Sequence, residues 1–291
     1  MTLLSMMTFS CLAEEPLARF GLLADPQYTD NDPQIGRNYR EGKNIIAKTL
    51  EVFNKEERLD FVCNLGDIVD GRVKSELPEV LEVFRKSKFP VKHTLGNHDL
   101  CLQSAEDLQK AYGMKNFNEE FKIGKVRFVL LYTLEISVLH PQEMKEYSLA
   151  KEYMDAHQER NLRYYNGMMS EEGIRWFEKI LVEADKAGET VVVLTHSPIC
   201  EKAAHDATLV WNAAEMLKLV DKHPCLKAWF AGHHHAGGLA ERNHVLHKTV
   251  KGLCEMPEAT GCIVSIYKDR MEIKGFGKET DYVFRYAEPC M

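Results

Sequence analysis

A chain of 291 residues is long enough for one large α/β domain, and at this size roughly three quarters of the unfolded surface can be buried. Its 45% hydrophobic and 28% charged residues place it with ordinary globular proteins. A net charge of -7 with no Lys/Arg run argues against tight binding to duplex nucleic acid, but allows a small anionic substrate held through bound cations.

Thr2 to Ala13 is apolar and small and runs into Glu14-Glu15-Pro16. Residues 1–16 are therefore expected to be a short signal peptide cut after Ala13 or a disordered leader, with export favoured over a cytoplasmic location. No other stretch is long enough to span a membrane. Residues 17–291 hold no linker, repeat or low-complexity tract and are expected to form a single domain.

Phe20 to Ala24 reads as a strand and ends in Asp25-Pro26-Gln27. A polar loop, Thr29 to Arg40, comes next as one wall of a pocket. The apolar face Ile45, Ile46, Leu50, Phe53 predicts a helix. Leu59 to Leu65 is a buried strand ending abruptly in Gly66-Asp67-Ile68-Val69-Asp70-Gly71. Ser75 is expected to cap a helix with face Leu77, Val80, Leu81, Phe84. Val91 to Leu95 then runs into Gly96-Asn97-His98-Asp99. This β-α-β-α-β order implies a parallel sheet.

Ser104 to Tyr112 reads as a helix and Val126 to Tyr132 as a strand. Glu135 to Tyr164 is polar and is expected to be a helical insertion. Ser170 caps a predicted helix that Gly188 ends. Thr190 to Leu194 has no polar alternation, so a strand buried on both faces is expected before Thr195-His196. Trp211 to His223 reads as a helix, and Leu226 to Ala231 as a strand before Gly232-His233-His234-His235. Cys262 to Tyr267 and Met271 to Phe276 form a predicted antiparallel hairpin. The whole reads as α/β, a two-sheet β-sandwich with helices outside. The eight cysteines are scattered with no CxxC pair, which argues against a disulfide framework; Cys63, Cys225 and Cys262 lie in apolar runs as expected buried thiols.

Each of these five apolar runs ends in a carboxylate, amide or imidazole. Open α/β sheets bind ligands at the carboxyl ends of strands. Asp25, Gln27, Asp67, Asn97, His196, His233 and His235 are too many donors for one ion, and the absence of thiolate suits Mn, Fe or Zn. One carboxylate shared by two ions uses them economically, and Asp67 is central. His233 and His235 share a face of an extended segment, whereas His234 points away and reads as structural. Among the other histidines, His205 is the strongest addition to the site. Two divalent ions so held suit phosphoryl transfer to water.

In this order the motifs resemble the calcineurin-like metallophosphoesterases. Gln27 stands where that family usually has histidine. The departure is similar to the branch of manganese-dependent ADP-ribose/CDP-alcohol diphosphatases. So are Tyr164-Tyr165-Asn166-Gly167 ahead of a helix containing Trp176, Trp211-Asn212, and His235-Ala236-Gly237-Gly238. The resemblance implies an αββα fold and hydrolysis of a phosphodiester or diphosphate bond in a small nucleotide-type substrate. It implies one ion at Asp25, Gln27, Asp67 and His235 and a second at Asp67, Asn97, His196 and His233. Manganese is the expected ion, with iron or zinc as alternatives. His98 is implied to contact phosphate and protonate the leaving oxygen. Asp99 is expected to orient His98 or cap the next segment, and Asp70 reads equally as a loop hydrogen bonder or a supporting residue behind the metals. A purple-acid-phosphatase-like reading is set aside because Asp70 stands where that branch has tyrosine. A cyclic-nucleotide phosphodiesterase stays open, and the complete ligand set argues against a non-enzymatic metal-binding module.

Overall fold

The computed structural model describes residues 14–100, 105–160 and 162–286. The expected leader through Ala13 and the Ser104 start of one predicted helix lie outside these residues.

The first half of the chain runs β1 (Ala18–Leu23), α1 (Gly42–Asn54), β2 (Phe61–Asn64), α2 (Val73–Phe84), β3 (Val91–His93), α3 (Asn97–Leu100), α4 (Ala105–Tyr112), β4 (Glu119–Ile123) and β5 (Val126–Leu131). The second half runs α5 (Lys145–Ala156), α6 (Glu171–Ala187), β6 (Thr190–Thr195), α7 (Ala213–Val220), β7 (Leu226–Ala231), β8 (Gly238–Arg242), β9 (Val245–Thr249), β10 (Gly261–Ile266), β11 (Arg270–Phe276) and β12 (Tyr282–Arg285). One sheet has the order β12-β11-β10-β1-β2-β3 and the other β4-β5-β6-β7-β9-β8. The β1-β2-β3 ladder is parallel, as the β-α-β-α-β order requires, and so is β5-β6-β7-β9. Antiparallel strands complete both sheets.

Alternation along the inner strands builds the layers, because successive side chains face opposite sides of a sheet. Phe20, Leu22, Phe61, Cys63, Phe128, Leu130, Val192 and Leu194 face inward and fill one cluster between the sheets. Their neighbours Leu23 and Val62 pack under α1 and α2. Val129, Val191 and Val193 pack under α6 and α7. The unbroken Val191–Leu194 run is thus buried on both faces, as expected. Phe20 is at the centre of the sandwich. Its ring stacks on Phe61 at 5.0 Å and meets Phe128 and Phe230 edge-on at 5.2 and 6.0 Å.

The structure corrects several local expectations. Ser75 is inside the first turn of α2, where its hydroxyl donates to Arg72 O, so the helix begins before it. Among the described residues of 135–164, only α5 is α-helical; Ile136 instead pairs with Met168, and Tyr153 of α5 stacks on Trp211 at 6.0 Å. Ser170 caps α6 by accepting from Gly173 N, as predicted. Strands β4, β8, β9 and β12 escaped prediction; β4, β8 and β12 are edge strands that are mostly half-exposed or exposed, whereas β9 is a short buried strand. The identity of β4 and β8 comes from pairing with β5 and β9, which local periodicity does not report.

Truncating Phe20 should leave a cavity where four aromatic rings meet. Phe20→Ala is expected to lower stability by about 3–5 kcal/mol, read as a lower urea midpoint at unchanged slope.

Candidate metal centre

The parallel strands deliver their carboxyl ends to one place, and the loops there are strained. Asp25, Gln27, Asp67 and His233 all have left-handed backbone, with φ of 51°, 43°, 53° and 67°. Glutamine is not among the residues that tolerate this region readily. Such strain costs about 1–3 kcal/mol per residue and collects at functional sites. Loop contacts maintain it: Asp25 N donates to Gly66 O at 3.2 Å and Gln27 N to Asp67 O at 2.9 Å. The glycines of the two loops are needed for close approach. A Cβ on Gly66, itself at φ 96°, would lie 2.5 Å from His196 Nδ1. One on Gly96 would lie 2.6 Å from Asp67 N and run into the Asp67 carboxylate.

All seven candidate ligands come together. Asp67 Oδ2 is 3.0 Å from Gln27 Nε2 on one side and 3.4 Å from His196 Nε2 on the other. His235 Nε2 joins the first side, 3.1 Å from Gln27 Nε2 and 3.6 Å from Asp25 Oδ1. Asn97 Oδ1 and His233 Nδ1 join the second, each 3.1 Å from His196 Nε2. Two groups of donors therefore meet at Asp67. Asp25, Gln27, Asp67 and His196 are almost wholly buried.

The hydrogen bonds behind the imidazoles decide which way their lone pairs face. His196 Nδ1 donates to Leu65 O at 2.8 Å, which leaves Nε2 bare in the neutral ring. Asn166 spends its amide N–H groups on Ala207 O and Leu209 O, so its Oδ1 accepts from His233 Nε2 at 2.8 Å and His233 Nδ1 is bare. Glu255 Oε1 accepts from His235 Nδ1 at 2.7 Å, leaving Nε2 bare. Three ring lone pairs thus converge on two carboxylates and two side-chain amides, and Gln27 Oε1 is buried without any hydrogen-bond partner. Such a cluster demands positive charge. Burial alone would raise Asp67, yet the surrounding His196, His98 and His233 hold its carboxyl well below the usual range. Burial would lower His196, yet Asp67 and Asp25 raise it to about 9. The donor set fits a pair of divalent ions, with Asp67 placed to serve both.

His98 stands beside this cluster. Its backbone N–H donates to Asp67 Oδ1 at 2.9 Å, its Nε2 is 3.9 Å from Asp67 Oδ2, and its Nδ1 bonds Asp70. Asp70 therefore orients His98, which settles its role and removes the expectation that Asp99 does so. The Asp99 carboxylate instead accepts from the backbone N–H groups of Asp67, Ile68, Val69 and Gly96 at 2.8 to 3.4 Å. His205 is not brought to the site: its ring is largely exposed, accepts from Ala207 N and pairs with Asp206. Asn166 and Glu255 carried no assigned role in the sequence. Asn166 lies within the Tyr-Tyr-Asn-Gly motif, whereas Glu255 sits after an unremarkable Leu-Cys pair and offered no local signal. A cavity of about 1260 Å³ opens elsewhere, between α5 and the start of α6, and none of the seven ligands lines it. The site is thus marked by its chemistry and not by volume.

The sequence profile of the calcineurin-like phosphoesterase family matches residues 18–237. The manganese-dependent ADP-ribose/CDP-alcohol diphosphatase of Homo sapiens is 29% identical over 325 residues, covering 95% of this chain and 95% of that protein. The protein of the same name from Oryza sativa subsp. japonica is 28% identical over 307 residues, covering 92% of this chain and 94% of its own. Among solved structures, a dimetal phosphatase from Danio rerio superposes with a TM-score of 0.84 at 26% identity, over 94% of this chain and all (100%) of that one. With the ligand cluster in place and a profile match over most of its length, the chain belongs to the calcineurin-like phosphoesterase family.

Proposed function

We propose that this chain is a manganese-dependent hydrolase that cleaves the diphosphate bond of a small nucleotide such as ADP-ribose or a CDP-alcohol. The observation that carries the reading is the convergence of three bare imidazole nitrogens on Asp25, Asp67, Gln27 and Asn97, with Asp67 between two donor groups. The names of the relatives support the substrate class, and Gln27 in the first motif supports the same branch. Oxygen donors from two carboxylates and two amides tilt the site toward manganese.

When bound, the pair of divalent ions supplies charge neutralisation at the phosphoryl oxygens and a nucleophilic water at neutral pH. The protein contributes position and a proton. Asp67 is placed for both ions, and the buried loops hold every ligand against rearrangement. His98 reaches the edge of the cluster with Asp70 behind it, so its ring presents Nε2 toward a leaving oxygen and can deliver a proton there. The deciding experiment is a turnover panel with Mn²⁺: ADP-ribose, CDP-choline, CDP-glycerol, cyclic nucleotides and an aryl phosphodiester. Preferred cleavage of the nucleotide diphosphates is expected. Turnover confined to cyclic nucleotides would favour the cyclic phosphodiesterase reading instead.

Three variants probe the roles. Asp67→Asn should abolish activity and lower metal content by mass spectrometry, since an amide cannot neutralise two dications; two ions with normal turnover would contradict the shared ligand. His98→Ala should keep its metals and lose on the order of 10²- to 10⁴-fold in turnover. That loss should shrink for nitrophenyl leaving groups, which need no proton. Gln27→His should lower the half-saturating Mn²⁺ concentration after chelator dialysis, because imidazole is a stronger donor than an amide oxygen. An unchanged or higher value would remove Gln27 from the ligand set.

A further inference from the structure

The three inward-facing imidazoles are held from behind by partners of different strength. His196 has a backbone carbonyl, Leu65 O, and His233 has an amide oxygen, Asn166 Oδ1. Only His235 has a carboxylate, Glu255 Oε1 at 2.7 Å. His235 is also the ring that shares its side of the cluster with the neutral Gln27. From this we infer that Glu255 is a positioning residue for the Asp25/Gln27/His235 ion. It fixes the His235 tautomer with Nε2 inward and strengthens that nitrogen as a donor, offsetting the weak amide ligand beside it. The inference rests on the dinuclear reading above.

The frame around Glu255 fits this role. Glu255 ends a short 3₁₀ turn, Leu253–Glu255, that is bonded to the strand end carrying the ligands. Leu253 N donates to Ala24 O and Cys254 N to Asp25 O, both at 2.9 Å. Gly252 N donates to His235 O at 3.0 Å, and a Cβ on Gly252 would lie 2.7 Å from the His235 ring. From the other side, Asn38 N donates to Cys254 O at 2.7 Å. Asp25, His235 and the turn carrying Glu255 are therefore one hydrogen-bonded unit, which fixes the backbone from which the carboxylate reaches the ring. Cys254 Sγ is also near, but at 3.5 Å from His235 Nδ1 it is the longer contact for that proton. Arg37 Nε is 3.9 Å from Glu255 Oε1 and does not displace it from the ring. An acceptor that orients a metal-binding histidine through its other nitrogen contributes about 10- to 100-fold in metal affinity.

The test is a Mn²⁺ titration of the metal-free protein, monitored by electron paramagnetic resonance, for wild type, Glu255→Gln and Glu255→Ala. The melting temperature of each metal-free protein is measured alongside. Wild type should bind two ions. Glu255→Ala should weaken one of the two by about 10- to 100-fold and leave the other unchanged. Glu255→Gln keeps an acceptor without charge and should fall between. Metal-free melting temperatures should be alike. Wild-type affinities at both sites in both variants would overturn the inference. So would equal weakening of both sites with a lowered metal-free melting temperature, which marks a merely structural residue. If wild type itself binds fewer than two ions, the dinuclear reading fails and takes this inference with it.

Discussion

The Asp99 carboxylate is the tie on which the site depends. It receives N–H groups from Asp67, Ile68 and Val69 on the loop after β2 and from Gly96 on the loop after β3. A buried carboxylate is costly unless it is hydrogen-bonded, and here it is fully satisfied by backbone that has no other use for those donors. Burial and the Asp67 charge nonetheless push Asp99 up to about 6. The backbone N–H bonds it receives from both loops hold them closely enough for Gly96 to pass against Asp67.

The second constraint is the set of bonds behind the histidines. A neutral imidazole has one bare nitrogen, and which one is bare depends on where the other donates. Leu65, Asn166 and Glu255 lie on three different segments, yet each takes the outer proton of one ring. The result is that the inner nitrogens are all free to ligate. Left-handed backbone at four ligand positions is further sign of a site assembled against local preference. The cost falls on loops braced by the buried inner strands of the two sheets, which can sustain it.

Fold and chemistry meet through the parallel strands. Because β1, β2 and β3 run one way in the first sheet and β6 and β7 one way in the second, their carboxyl ends gather at one edge of the sandwich. The inward-facing phenylalanines set how the two sheets pack, and so how the ligands of one reach those of the other. Asp25 and Asp67 come from one sheet and His196, His233 and His235 from the other, so the metal centre exists only where the sheets are correctly apposed.

Much of this was legible in the amino-acid sequence, for a physical reason. A buried strand is a short apolar run, and a ligand at its end is the next polar residue, so the order Asp25, Asp67, Asn97, His196, His233 could be read along the chain. Apolar runs likewise announced β1, β2, β5, β6 and β7, though not the buried β9. What only the tertiary structure decided are contacts between segments that no local pattern connects. Asp70, and not Asp99, turned out to hold His98, because that depends on how two loops dock. Glu255 reaches His235 from 20 residues away, and Asn166 reaches His233 across 67. Strands β4 and β8 were hidden for the same reason: their side chains look like surface, and only their partners β5 and β9 make them strands. Ligands are a property of single positions and can be read one at a time, whereas the groups that aim them are a property of the folded neighbourhood.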